Sequence, residues 1–213
     1  MCGMRNRISR SGWWAAAVLL AMLGLSAPGA AAERSPTEGV KATVDEFFYI
    51  LTELKDPSRS AQRNWEFEQA VRRHVRYEEM ARQSLGEAWA GVSPAERRQF
   101  VRLFVQILRD ELTERLRGYN AREVAFVSEQ GEQGRAEVGA TLTSADLETR
   151  MDFVVARGSG DWMIEDIRID GTSLLERYRA QFARILKEAT FADLMERMKQ
   201  RTLLVEVFEK AGP

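Results

Sequence analysis

The side chains best placed to do chemistry lie in one short stretch, DWMIEDIRIDGTSLLERYRAQF. Glu165 and Asp166 resemble a carboxylate pair for general acid–base catalysis, and Tyr178 and Arg179 follow closely. Adjacent residues of a strand point to opposite faces, so the two carboxylates cannot act together unless a bulge realigns them. We therefore expect Asp166 to be structural, accepting hydrogen bonds at a bulge or pairing with an arginine such as Arg179.

Two other residues have the type, but not the surroundings, of a nucleophile and a general base. Ser173 follows a Gly-Thr pair where a strand meets a helix, but Leu175 occupies the second glycine position of G-x-S-x-G. A capping box with Glu176 accounts for this serine. His74, the only histidine, is flanked by arginines, which cannot orient it as a base. We expect a surface histidine on a helix.

The residue counts exclude several kinds of site. The single cysteine, Cys2, lies in the N-terminal segment that we expect to be removed, so no disulfide or cysteine ligand is expected. One histidine cannot build a multi-histidine zinc site. No Walker loop, G-x-G-x-x-G or H-E-x-x-H pattern occurs. The sequence therefore predicts no metal, no cofactor and no catalytic residue.

The N-terminus has the order of a secretory signal peptide. A basic start precedes an apolar run over residues 13–25, and small residues stand at Ala30 and Ala32. We predict export, cleavage after Ala32 and one domain over residues 33–213. The chain has 31 Lys and Arg against 32 Asp and Glu, interleaved along its length, so we expect no nucleic-acid surface.

Apolar periodicity divides this domain into three parts. Residues 33–118 are predicted to be mainly helical, residues 121–170 to form an antiparallel sheet, and residues 171–210 to be helical again. Capping boxes predict helix starts at Ser35, Ser93 and Ser173. Two further helices are predicted over Ser60–His74 and the segment YEEMARQSLGEAW, and the longest helix over Pro94–Arg117. Apolar stripes continue through Phe191, Leu194, Met195 and Met198 to Leu203, Leu204, Val207 and Phe208.

Four runs with a period of two predict the strands of the sheet. They are EVAFVSE, GRAEVGATLTS, LETRMDFVVARG and DWMIEDIRID. In the last run, Trp162 and Ile164 have one parity while Ile167 and Ile169 have the other, which predicts a bulge near Glu165. The fold class is therefore α+β, with a curved four-stranded antiparallel sheet covered by N- and C-terminal helices. Apolar stripes of this kind ordinarily close into a core.

Two long motifs add a resemblance to this interpretation. The first is W…EDIRIDGTSLLERYRAQFARIL, and the second is YEEMARQSLGEAWAGVSPAERRQFVRLFVQIL. Both resemble the MlaC, or toluene-tolerance, family of periplasmic lipid-binding proteins. Arg76 stands where that family usually has an aspartate, and Leu112 replaces a common tyrosine of the long helix, which suggests a divergent branch. The positions that carry the resemblance are Trp162, Asp166, Gly171, Ser173, Leu174, Tyr178, Arg179 and Phe182, with Met80, Ala81, Leu85, Gly86, Trp89 and Phe100 in the second motif.

The resemblance implies a sheet of the NTF2-like type and a soluble periplasmic carrier of phospholipid rather than an enzyme. It implies as partners an inner-membrane ABC transporter with an MCE-domain subunit and an outer-membrane lipoprotein complex, together maintaining outer-membrane lipid asymmetry. The residues expected to line the lipid cavity are Phe100, Phe104, Leu108, Val138, Met151, Phe153, Ile164, Ile167, Leu174, Tyr178 and Phe182.

Three alternatives remain open at this point. A related branch accompanies hopanoid biosynthesis, so the ligand of this chain is phospholipid or a polycyclic lipid. Domains of the NTF2-like type include isomerases and hydrolases, for which Asp166 and Tyr178 would be the catalytic pair. A closed core would instead favour an adaptor that only bridges membrane complexes.

Overall fold

Helices form the first half of the chain, as the apolar stripes predict. The structure, a computed structural model, describes residues 34–145, 147–158 and 160–200. The four helices are α1 (Pro36–Glu53), α2 (Ser60–His74), α3 (Tyr77–Leu85) and α4 (Pro94–Leu116). Short 3-10 turns follow α1, α3 and α4, at Pro57–Arg59, Gly86–Gly91 and Ala121–Glu123.

Capping boxes start α1 and α4 as expected. Ser35 Oγ accepts from the backbone N–H of Glu38, whose carboxylate accepts from the backbone N–H of Ser35 at 2.8 Å. Ser93 and Glu96 repeat both bonds at the start of α4. Each box satisfies donors that the first turn of a helix leaves unpaired.

The third predicted capping box, Ser173 with Glu176, is only half formed, because one of its two hydrogen bonds is present. Ser173 Oγ accepts from the backbone N–H of Glu176 at 3.0 Å, but among the described residues the Ser173 N–H donates no bond to the Glu176 carboxylate. Ser173 is also the last residue of a short strand, so its backbone belongs to the sheet as well as to the start of α5 (Leu174–Glu188).

The sheet has five strands rather than the four expected. The strands are β1 (Val124–Glu132), β2 (Arg135–Thr143), β3 (Glu148–Arg157), β4 (Trp162–Ile169) and β5 (Thr172–Ser173). Their order in the sheet is β1-β2-β3-β4-β5, in four consecutive antiparallel pairs. Asp170 and Gly171, both with positive φ, form the turn that brings β5 back beside β4. Two residues are too few to show a period of two, so β5 left no signal in the sequence.

The predicted bulge is present in β4. Val154 pairs with Asp166 and Val155 with Ile164, which leaves Glu165 as the extra residue. Beyond this residue the side chains of β4 change face, as the parity break in the sequence predicts. Met163 is partly exposed, and the other four apolar residues of the strand are consequently buried: Trp162, Ile164, Ile167 and Ile169.

β1 forms one edge of the sheet and carries a second irregularity. Its register with β2 shifts between Phe126 and Ser128, and the intervening Val127 is 53% exposed. Within the described chain, β1 has a ladder only with β2.

A single apolar cluster joins the helices to one face of the sheet. It includes α5 and the last described helix, α6 (Phe191–Gln200). No helix of the described residues is long and apolar enough to cross a membrane. The predicted signal peptide and the apolar residues from Leu203 to Phe208 lie outside the described residues.

Candidate lipid-binding site

The eleven predicted lining residues come together in the interior. Helix α4, the inner face of the sheet and helix α5 supply them from three separate parts of the chain. Each is at most 2% exposed and belongs to the same apolar cluster. Their assembly follows from the stripe on each helix and the alternation on each strand, both of which turn one apolar side inward.

Aromatic rings form the centre of this cluster. The rings of Phe104 and Tyr178 meet edge-on with centroids 5.5 Å apart, and those of Phe100 and Phe182 at 5.6 Å. Tyr178 also stacks on Phe182 at 5.9 Å. These contacts join α4 to α5, so the two helices share a continuous aromatic layer.

Sequence reasoning missed two rings of the same layer. The ring centroid of Phe100 lies 6.1 Å from that of Phe191 in α6 and 6.4 Å from that of Trp89. Both residues had a signal in the sequence, because Trp89 lies in the second family motif and Phe191 begins the apolar stripe of α6.

The tyrosine at the centre carries a buried polar atom. Tyr178 is 1% exposed, and its hydroxyl has no hydrogen-bond partner among the described residues. Burial, reinforced by the negative charge of Glu111, raises the pKa of this phenol well above its ordinary value. The phenol is therefore a neutral donor and acceptor within an apolar surrounding.

Glu111 is a second buried polar residue, which sequence reasoning also missed. Its side chain is 1% exposed, and Oε1 accepts from Arg115 Nε at 3.1 Å. Arg177 Nη1 lies 3.9 Å from the same oxygen, beyond hydrogen-bond distance. Oε2 has no partner in the described part of the chain. Glu111 lies three residues after Leu108 on the buried stripe of α4. A charged residue on an apolar stripe is the sequence feature that could have indicated a buried polar group.

Asp166 has the structural surroundings that we expected for it. It accepts from Ser173 Oγ at 2.6 Å and from the backbone N–H groups of Ile167 and Leu175 at 2.9 and 3.1 Å. Arg179 is exposed and is not among the described partners of this carboxylate, nor is Tyr178. Asp166 is therefore a hydrogen-bond acceptor at the bulge rather than the ionic partner of Arg179.

His74 differs from the expected surface histidine. It is half-buried, and its Nε2 lies 2.7 Å from Glu46 Oε2 of α1. Arg73 binds the same carboxylate. Burial opposes ionisation of Glu46, but the hydrogen bonds from His74 and Arg73 outweigh it and lower its pKa. Glu46 is distant from His74 in the sequence, so the residues next to His74 gave no indication of this contact.

Arg76, a departure from the family pattern, binds the bulge of β4. Its Nη1 donates to Glu165 Oε1 at 2.8 Å, while Arg135 Nη2 donates to Glu165 Oε2 at 2.7 Å. The backbone N–H of Arg76 also donates to Ile164 O at 2.8 Å. The junction between α2 and α3 is thereby fixed to the sheet.

A groove of about 600 Å³ is lined by residues of α2, α3 and α4 and by Trp89. Tyr77, Trp89 and Val101 provide its apolar parts, and five arginines surround them. Two of these arginines stack on its rings, Arg72 on Tyr77 and Arg97 on Trp89. None of the eleven predicted lining residues belongs to this surface groove.

Comparison with known proteins identifies the family. A family model described as MlaC protein matches residues 41–200. The chain belongs to the MlaC family. The match runs from within α1 to the end of α6 and therefore includes every residue of the aromatic layer and of the MlaC-like motifs.

A solved structure shares the fold of this chain over most of its length. It is the phospholipid-binding protein from Ralstonia solanacearum, determined in complex with a phospholipid. The two share 21% sequence identity and a TM-score of 0.62, over 79% of this chain and 97% of that one. A search of curated proteins found no match. The similarity supports the α+β architecture, while the NTF2-like type stays a prediction.

Proposed function

We propose that this chain is a periplasmic carrier that encloses the acyl chains of phospholipid in its interior. The observation that carries the proposal is the convergence of eleven apolar side chains from α4, the sheet and α5 on one buried cluster. Membership of the MlaC family and the likeness to a protein solved with a phospholipid support this class of ligand.

The physical need for such an interior follows from the ligand. Each CH₂ group that leaves a bilayer for water costs about 0.8 kcal/mol, so a two-chain lipid cannot cross an aqueous compartment unshielded. Side chains of Phe, Met, Ile and Leu replace the hydrocarbon surroundings. Because the eleven side chains are packed against one another, acyl chains can enter only when the helical layer moves away from the sheet.

The proposed carrier exchanges lipid with complexes in both membranes. By its family, the partners are an inner-membrane ABC transporter with an MCE-domain subunit and an outer-membrane lipoprotein complex. The predicted signal peptide would deliver the chain to the periplasm between them. This role would contribute to the lipid asymmetry of the outer membrane.

The geometry gives less support to the enzymatic alternative. The Asp166 carboxylate is held by Ser173 and two backbone donors, while the Tyr178 hydroxyl lies in the electrostatic environment of Glu111 and Arg177. Asp166 and Tyr178 make no hydrogen bond to each other in the described structure. A general acid–base pair needs both groups within reach of one substrate.

Native mass spectrometry of protein purified from periplasm tests the proposal. We expect co-purified lipid, and we expect the delipidated protein to extract lipid from phosphatidylcholine vesicles. Val138→Phe, which adds a ring at the centre of the inner sheet face, should reduce extraction several-fold. Val71→Phe, at an equally buried position of α2 outside the predicted lining, is the matched control. Protein that carries no lipid and extracts none would contradict the proposal.

A further inference from the structure

Three buried polar atoms lie between α4 and α5 without a hydrogen-bond partner among the described residues. They are Glu111 Oε2, Arg177 Nη1 and the hydroxyl of Tyr178. Arg177 Nη1 is 3.9 Å from Glu111 Oε1, and the charge of Glu111 acts on the Tyr178 phenol. Glu111, Arg177 and the Tyr178 phenol therefore lie within electrostatic range of one another.

This combination points to a polar group supplied from outside the chain. Buried polar groups are nearly always hydrogen-bonded, because desolvation without a partner is costly. The site also adjoins the proposed lipid interior, since the Tyr178 ring packs between Phe104 and Phe182. On the outer side, the Arg115 and Arg177 side chains are partly exposed, so the site lies just beneath the surface.

The three atoms differ in what they can bind. A carboxylate oxygen only accepts, a guanidinium nitrogen only donates, and a phenol does both. A hydroxyl group can donate to Glu111 Oε2 while it accepts from Arg177 Nη1 or Tyr178. A phosphate or ester offers only acceptors, which would leave Glu111 Oε2 unsatisfied, and a phosphate would also face its negative charge.

We propose that Glu111, Arg177 and Tyr178 bind a hydroxyl group at the polar end of the carried lipid. The inference rests on the proposed carrier function and names a preferred ligand class, a lipid with a free hydroxyl on an apolar body. The acyl chains or rings of such a lipid extend from this site into the aromatic layer.

A pair of probes that differ in one hydroxyl tests the inference. Phosphatidylcholine vesicles are doped equally with dioleoylglycerol, which has a free hydroxyl, and with its acetate ester, which lacks one. The protein is separated from the vesicles and its bound lipids are quantified by mass spectrometry. We expect wild-type protein to take up the alcohol about tenfold more than the ester, the factor that one net hydrogen bond supplies.

Tyr178→Phe removes one oxygen atom and should bring this ratio close to one. Tyr119→Phe is the matched control, because the Tyr119 hydroxyl is already 2.8 Å from Thr149 Oγ1. This control should keep the wild-type ratio. Circular dichroism and thermal unfolding establish that both variants are folded.

The possible failures are distinguishable. Equal uptake of alcohol and ester by wild-type protein would overturn the inference and would indicate that water satisfies the site. A preference that Tyr178→Phe leaves intact would overturn it as well. If wild-type protein takes up neither probe and no phosphatidylcholine, the carrier function itself is contradicted.

Discussion

Ser173 Oγ donates a 2.6 Å hydrogen bond to Asp166 Oδ2 across the junction of sheet and helix. The same hydroxyl accepts from the backbone N–H of Glu176, and Asp166 Oδ1 accepts from that of Leu175 at 3.1 Å. One carboxylate and one hydroxyl thus satisfy the first turn of α5 and hold it against β4.

Removal of this carboxylate should destabilise the fold. Asp166→Ala leaves the Ser173 hydroxyl and two backbone donors without their acceptor, and we expect a loss of about 2 kcal/mol in urea unfolding. Asp166→Asn keeps one acceptor oxygen and should lose less. Asp45→Ala, which breaks only an exposed pair with Lys41, is the control and should change stability by less than about 0.5 kcal/mol.

The Asp166→Asn variant also distinguishes the proposed carrier function from the enzymatic alternative. A structural Asp166 predicts a folded variant that still extracts lipid from vesicles. Turnover of a lipid-like substrate by wild-type protein, lost in the folded variant, would instead establish catalysis.

The two arginines on Glu165 should differ in their contribution to stability. Arg76→Ala removes a half-buried partner that fixes the α2–α3 junction to the bulge, and we expect a loss of about 1–2 kcal/mol. Arg135→Ala removes the exposed partner of the same carboxylate and should lose about 0.5 kcal/mol or less. Equal losses in chemical denaturation would show that the junction gains nothing from Arg76.

Because of Glu46, part of the free energy of unfolding should depend on pH in the acidic range. Its pKa is lowered in the folded chain from an ordinary value of 4.5, with hydrogen bonds from His74 and Arg73 outweighing burial. The ionised form is therefore favoured by folding, and its contribution is present above pH 4.5 and lost as the pH falls through the lowered folded-state pKa.

Glu46→Gln tests this linkage. The variant should be less stable than wild type in urea unfolding at neutral pH, by about 0.5–1 kcal/mol. The difference should shrink as the pH is lowered below 4.5. A difference that stays constant over this range would show that Glu46 acts through packing alone.

Phe182 allows a closed core to be distinguished from a container. Phe182→Ala should lose about 3–5 kcal/mol of stability without lipid, as for any large core side chain. In a container, an acyl chain can occupy the new space, so phosphatidylcholine vesicles should raise the melting temperature of this variant more than that of wild type. Phe67→Ala, equally buried but on α2, should show no such additional gain.

Periodic sequence patterns were sufficient to predict most of the architecture. The helix over Ser60–His74 and the parity break at Glu165 both appear in the structure, because they depend only on neighbours along the chain. The two-residue β5 escaped notice because it is shorter than any period. Contacts between distant residues were equally inaccessible, and Glu46 beside His74 is the clearest case.

The site could be predicted only in part for the same reason. Its predicted apolar members lie on stripes that a sequence displays, and all eleven are buried together. Whether they line a cavity for lipid stays a prediction. Glu111 was missed because its significance depends on Tyr178 and Arg177 of another helix, which sequence spacing cannot bring together.

The irregular register at Val127 affects how readily the edge strand β1 can pair with a second molecule. A sheet edge offers unpaired N–H and C=O groups on which a second chain can assemble. The shift between Phe126 and Ser128 interrupts the straight row of donors and acceptors along β1. This edge of the sheet therefore offers no continuous template for fibre growth, which would protect the proposed carrier if its helices were displaced during loading.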